Sequence, residues 1–150
     1  MDCVCLENLF YYIVFLVFSE SHFAFLLIED ADGSYKIDNL QFDLKPRSFY
    51  FTLPGHLKSF NLQKDSHGHM ITFSEKFLRQ FHAGDLFKEF PFLLSETVPV
   101  MYPPLEVFED LKLLYTNIHR EYVSDSRYKY PIIGNLLFAL LLKIKELLSK

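Results

Sequence analysis

The stretch His69-Met70-Ile71-Thr72-Phe73-Ser74-Glu75-Lys76-Phe77-Leu78 changes its period at Ser74, and that change divides the chain. Up to Phe73 the residues are β-branched, aromatic or apolar, as in a strand with a buried face. Beyond Ser74, Phe77, Leu78 and Phe81 fall at helical spacing. Ser74 suits an N-cap because its hydroxyl accepts from a backbone N–H of the first turn, and Glu75 sits favourably against the positive end of the helix dipole. Gly84 ends this short helix.

Toward the N-terminus the chain reads as strand after strand. Residues 22–29 form one, rich in Phe, Leu and Ile, and Asp30-Ala31-Asp32-Gly33 follows as a turn, so a hairpin is expected there. Short alternating segments at 34–37 and 40–44 flank Asp38-Asn39, and Lys45-Pro46-Arg47 makes a corner. Residues 48–53 alternate Phe49, Phe51 and Leu53 against Ser48, Tyr50 and Thr52. Pro54-Gly55 closes that strand, 57–62 begins another, and the polar run 63–68 is a loop. The aromatic run at 11–15 reads as a further buried strand, giving roughly seven or eight in all, the spacing of a barrel or sandwich.

Toward the C-terminus a region rich in Phe and Pro, residues 86–104, leads into two helices. Leu105, Phe108, Leu111, Tyr115, Ile118 and Tyr122 recur at spacings of three and four, one apolar stripe on a helix. From about Tyr130 to Leu148 a second helix carries Ile133, Leu136, Leu137, Leu140, Leu141 and Ile144 on a broad apolar face. The short loop Ser124-Asp125-Ser126-Arg127 joins them, so they should pack side by side as an antiparallel hairpin. The expected architecture is mainly β with C-terminal α, in one structural domain: residues 1–104 as the β part with its short helix and connector, 105–150 as the helical hairpin packed on it.

Composition excludes several classes. With 150 residues, 50% of them hydrophobic and 23% charged, the chain can bury one core, which rules out disordered and low-complexity classes. A net charge of −4 with scattered Lys and Arg argues against gripping a phosphate backbone. Cys3 and Cys5 are the only cysteines, so no disulfide framework is implied and a reducing cytoplasm is expected. The uncharged apolar stretch 9–18 spans ten residues, about half of what a bilayer-spanning helix requires, and no membrane partner is expected.

The segments DGSYKIDNLQFDLKPRSFYFTLPGHLKSF (residues 32–60) and GHMITFSEKFL (68–78) resemble the N-terminal effector domain of AraC-family transcription regulators. The matching positions include Tyr35, Ile37, Asp38, Lys45, Pro46, Pro54, Gly55, Ser59, Phe60, Gly68, Phe73, Ser74, Glu75 and Phe77, and the likeness runs over about residues 23–148. The resemblance implies a cupin-like jelly-roll barrel followed by helices that mediate homodimer contacts, with a small-molecule effector in the barrel. DNA would be reached only through helix-turn-helix units, for which this chain has neither the length nor the basic charge. Lys58 replaces the family's usual His, His56 its usual Gln, and Asp30 stands where sugar-sensing members carry Arg, which argues against a sugar effector.

The same matching brings Phe60, Gly68 and Met70 to barrel-facing positions, and alternation adds Thr72. Lys58 and His56 near the mouth would meet an acidic ligand, although exposed turn residues are the commoner reading. Leu136, Leu137, Leu140, Leu141 and Ile144 are the expected dimer interface, with burial on two sides of that helix. His67-Gly68-His69 is the one H-x-H, the pattern by which cupin enzymes hold a metal. It lies at the start of the last strand, so two loop histidines touching solvent are the plainer reading. No nucleophile elbow or glycine-rich phosphate loop occurs, and neither catalysis nor a cofactor is expected. The leading reading is a non-catalytic ligand-sensing and dimerisation domain. The alternatives are a small metal-dependent cupin enzyme and a dimerisation module whose barrel is filled by its own Phe side chains.

Overall fold

The computed structural model describes residues 3–6, 22–37, 39–54, 58–62, 67–94 and 100–149. The strand expected at 11–15 and the apolar stretch 9–18 lie outside the described residues. In chain order the strands are β1 (Cys3–Leu6), β2 (His22–Asp30), β3 (Gly33–Ile37), β4 (Leu40–Asp43), β5 (Ser48–Thr52), β6 (Lys58–Leu62), β7 (His67–Ser74) and β8 (Val100–Met101). The helices are α1 (Glu75–Arg79), α2 (Leu86–Glu89), α3 (Leu105–Tyr122) and α4 (Lys129–Leu148), with a 3-10 turn at Pro91–Leu93.

The strands form an antiparallel five-stranded sheet in the order β1-β7-β2-β5-β8 and a three-stranded sheet in the order β4-β3-β6. Among the described residues these two sheets do not close into the expected barrel. The hairpin expected at residues 30–33 is also not one: β2 pairs with β5 and β7, whereas β3 pairs with β4 and β6. The turn therefore carries the chain from one sheet to the other, and Gly33 takes φ 133 there, a value that side-chain-bearing residues avoid. The short alternating segments expected at 34–37 and 40–44 fall on β3 and β4, which pair antiparallel with Ile37 opposite Leu40 and Ser34 opposite Asp43.

β2 decides the layering. It lies in the middle of the larger sheet, Phe25 standing opposite both Phe51 of β5 and Ile71 of β7, and every residue from Phe23 to Ile28 is buried. Strand alternation splits this run between two cores. Phe23, Phe25 and Leu27 join Phe49, Phe51, Ile71 and Phe73 beneath the helices, while Ala24, Leu26 and Ile28 join Tyr35, Tyr50, Leu44 and Met70 between the sheets. Rings pack edge to face across the helical layer, Phe25 lying 5.1 Å from Phe73 and 5.7 Å from Phe49, the geometry that aromatic quadrupoles favour.

Ser74 caps α1 as expected, its Oγ accepting from the backbone N–H of Phe77 at 3.0 Å. The helix ends at Arg79, short of Phe81. Asp85 caps α2 in the same manner, accepting from Lys88 N–H, so the region 86–104 holds a helix, a 3-10 turn and the short edge strand β8. In α3, Phe108, Leu111, Tyr115 and Ile118 face the core. Leu105, expected on the same stripe, is 56% exposed because the first turn runs past the sheet end. α3 and α4 run antiparallel, with Lys143 near the end of α4 3.7 Å from Asp110 near the start of α3, and Lys129 donating to the Tyr122 and Ser124 carbonyls at the loop. The core beneath the larger sheet includes side chains from both helices, which joins the β part and the hairpin in one packed body.

Candidate functional site

Three places were expected to carry function: the interior of the barrel, the apolar face of the last helix, and the H-x-H pair. The intersheet layer is densely filled. Tyr35, Leu26, Ile28 and Tyr50 have no solvent exposure, Met70 has 2%, and the Tyr35 and Tyr50 rings meet edge to face at 5.3 Å. Ser48 and Thr52 share the Tyr50 side of β5, and both hydroxyls are spent on the backbone, Ser48 Oγ donating to the Lys45 carbonyl at 2.6 Å and Thr52 Oγ1 to the Ala24 carbonyl at 3.3 Å. Burial raises the pKa of the Tyr50 phenol above its ordinary value, opposed by the Ser48 side chain and the Lys45 backbone.

Of the expected effector-contacting residues, Met70 lies in this layer and Thr72, half-buried, stands two residues along β7 on the same face, opposite Ala24. Phe60 stands opposite Tyr35 in the smaller sheet, and Lys58 opposite Ile37 at the far end of the same pairing. His56 lies outside the described residues. The structure thus brings Met70 and Thr72 together on the larger sheet and puts Lys58 and Phe60 on a strand of the smaller one.

The leucines of α4 are mostly consumed within the chain. Leu137, Leu140, Leu141 and Ile144 have no exposure, packed in the core beneath the larger sheet, and Leu136 is partly buried against it. Within one copy these side chains are thus already packed, Leu136 alone of the five expected interface residues keeping part of its surface. What α4 turns outward is a stripe at intervals of three and four, Ile132, Asn135, Ala139, Leu142 and Glu146, with Ile132 and Leu142 respectively 36% and 41% exposed and Ala139 half-buried. A helix apolar nearly all round shows in sequence that it is covered, but not which side its own fold covers.

His67 and His69 share the helix-facing side of β7, as alternation requires. His69 is buried with its ring 5.9 Å from Tyr115 of α3, whereas His67 is exposed at the strand start. Among the described residues no group of three or more His, Cys, Asp and Glu side chains comes together to hold a metal. Nor, among them, is any helix long and apolar enough to cross a membrane.

A feature that sequence reading missed lies where the larger sheet ends against α3. An open groove of about 410 Å³ is lined by Glu29 and Asp30 from β2, Arg47, His67, and the first turns of α3. A register irregularity in the β2–β7 pairing falls between Ile28 and Asp30, and Arg47 has φ 55, the only positive value on a residue other than glycine among those described. Lys112 of α3 bonds Glu29 at one edge, and that hydrogen bond holds its ammonium pKa above the ordinary value. Nearby, the Tyr115 hydroxyl donates to the Phe25 carbonyl at 2.9 Å, so α3 is tied to β2 at two points one turn apart.

No protein-family model matches the sequence, and no curated protein matches it. Solved structures do. The AraC-like transcriptional activator CuxR overlays this chain with TM-score 0.51 at 11% identity, over 94% of this chain and 49% of its own. ToxT from Vibrio cholerae overlays with TM-score 0.42 at 10% identity, over 97% of this chain and 52% of its own. The chain spans about half the length of each of these structures. In its antiparallel sheets and C-terminal helices the chain is similar in fold to about half of the AraC-like activator CuxR.

Proposed function

We propose that this chain is the non-catalytic ligand-sensing and dimerisation part of an AraC-type transcription regulator acting in the cytoplasm, with DNA contacted through a separate part. The observation that carries this reading is the overlay on CuxR, which takes in nearly all of this chain and leaves half of the activator unmatched. The net charge of −4 accords with DNA contact lying elsewhere. Signalling would be a population shift, a bound effector favouring one placement of the helical hairpin over another. For dimerisation α4 offers its Ile132–Ala139–Leu142 stripe, which repeats at the spacing of a helix-to-helix seam.

The filled intersheet layer favours a second reading, a dimerisation module that takes no ligand between its sheets. The small-molecule effector then needs another site or does not exist.

The test is to join the chain to a DNA-binding domain that holds its operator only as a dimer and to follow an operator-controlled reporter. The expected result is operator-dependent regulation, abolished by Leu142→Glu with the protein still folded. A well-expressed, folded fusion that leaves the reporter unchanged contradicts the proposal.

A further inference from the structure

We propose that the groove between the end of the larger sheet and the start of α3 binds a small zwitterion of the amino-acid class bearing an apolar side chain. The groove lies outside the intersheet layer. Its charges are mixed, and most of them lack partners of their own. Glu29 is engaged by Lys112, whose ammonium also feels the Glu109 carboxylate, while the side chains of Asp30, Arg47 and His67 make no hydrogen bond or ion pair among the described residues. Two carboxylates that Lys112 does not bond, those of Asp30 and Glu109, together with the Arg47 guanidinium and the His67 imidazole, therefore border the same open volume of about 410 Å³.

That set discriminates among ligand charges. A simple amine would gain Asp30 and Glu109 but meet Arg47 with nothing to offer it, and a simple carboxylic acid would gain Arg47 and meet two like charges. A zwitterion satisfies both, its ammonium lying between Asp30 and Glu109 and its carboxylate on the planar Arg47 fork, with His67 available as a further donor. The remaining wall is apolar: buried Phe108 forms the floor and Leu105, 56% exposed, stands open beside it. An exposed leucine over a buried phenylalanine suits a branched aliphatic side chain. The backbone at Arg47 points the same way. At φ 55 glycine or asparagine would be the unstrained choice, yet the chain places there the cation that the site needs.

The site bridges Asp30, Arg47 and His67 on the sheet with Leu105 and Glu109 on α3, next to the Glu29–Lys112 pair. A ligand here would bear on how α3 seats against β2, and this regulatory consequence alone rests on the sensor reading above.

Calorimetric titration of the full chain with leucine, with 3-methylbutylamine (leucine without its carboxylate) and with 4-methylpentanoate (leucine without its ammonium) tests the site. Leucine is expected to saturate at millimolar concentration, each analogue binding at least about tenfold more weakly. Arg47→Gly, which relieves the backbone and removes the guanidinium with its stem, and Glu109→Gln, which removes only the charge, are each expected to weaken leucine about tenfold or more without lowering the unfolding temperature. The proposal is overturned if leucine fails to saturate, if the amine binds as well as leucine, or if both variants bind leucine unchanged. Leucine binding with a silent reporter fusion would instead overturn the regulator reading and leave the site standing.

Discussion

Tyr50 shows how one side chain's chemistry reaches the stability of the whole. Its ring fills the intersheet layer against Tyr35, and burial holds its phenol protonated beyond the ordinary value of 10.0. The unfolded chain ionises first as pH rises, so this contribution is complete below pH 10.0 and is lost above it. Tyr50→Phe should change neutral-pH stability little and reduce the alkaline loss in pH-dependent urea unfolding. The alkaline loss that remains includes Lys112, whose raised pKa acts in the same direction. Gly134 is the second telling residue. A Cβ there would stand 2.4 Å from the Phe81 ring, so α4 and the segment after α1 approach through the missing side chain. Alanine in a helix ordinarily gains about 1 kcal/mol over glycine. Gly134→Ala should reverse that sign and cost about 1 kcal/mol in chemical denaturation, through displacement of Phe81.

At the scale of elements, local chemistry was the legible part. The Ser74 cap, the short strands β3 and β4 and both long helices follow from signals a few residues long, and they form where those signals stand. Ser74→Ala should cost about 1 kcal/mol and loosen α1, seen as faster amide exchange at Phe77. What could not be read depended on remote partners. The turn at 30–33 has hairpin chemistry, but pairing is decided by the sheets, and β2 finds better partners in β5 and β7. β8 has two residues and exists only because β5 offers an edge. Leu105 keeps the helical period of its stripe and is nevertheless exposed, because the stripe outlasts the sheet beneath it. The groove was invisible for the same reason, since Glu29, Arg47, His67 and Glu109 are scattered in sequence and meet only at one end of the folded sheet. Tyr115 ties α3 to the middle of β2: Tyr115→Phe leaves the Phe25 carbonyl without this buried partner and should cost about 1–2 kcal/mol in thermal or urea unfolding.

For the molecule as a whole, the helical hairpin has two duties that the sequence could not separate. Its inner leucines complete the core under the larger sheet, and changing Leu137 or Leu141 to a charged residue would unfold the chain rather than divide a dimer. Its outer stripe on the last helix, Ile132, Ala139 and Leu142, is the surface that α4 leaves for a second copy. Dimerisation through that stripe is the central claim, and molar mass by light scattering across a dilution series addresses it most directly. The account predicts a dimer at micromolar concentration that dissociates on dilution and becomes a folded monomer when Leu142 is changed to glutamate. A chain that is monomeric at every concentration, or a dimer that Leu142→Glu leaves intact, would contradict it.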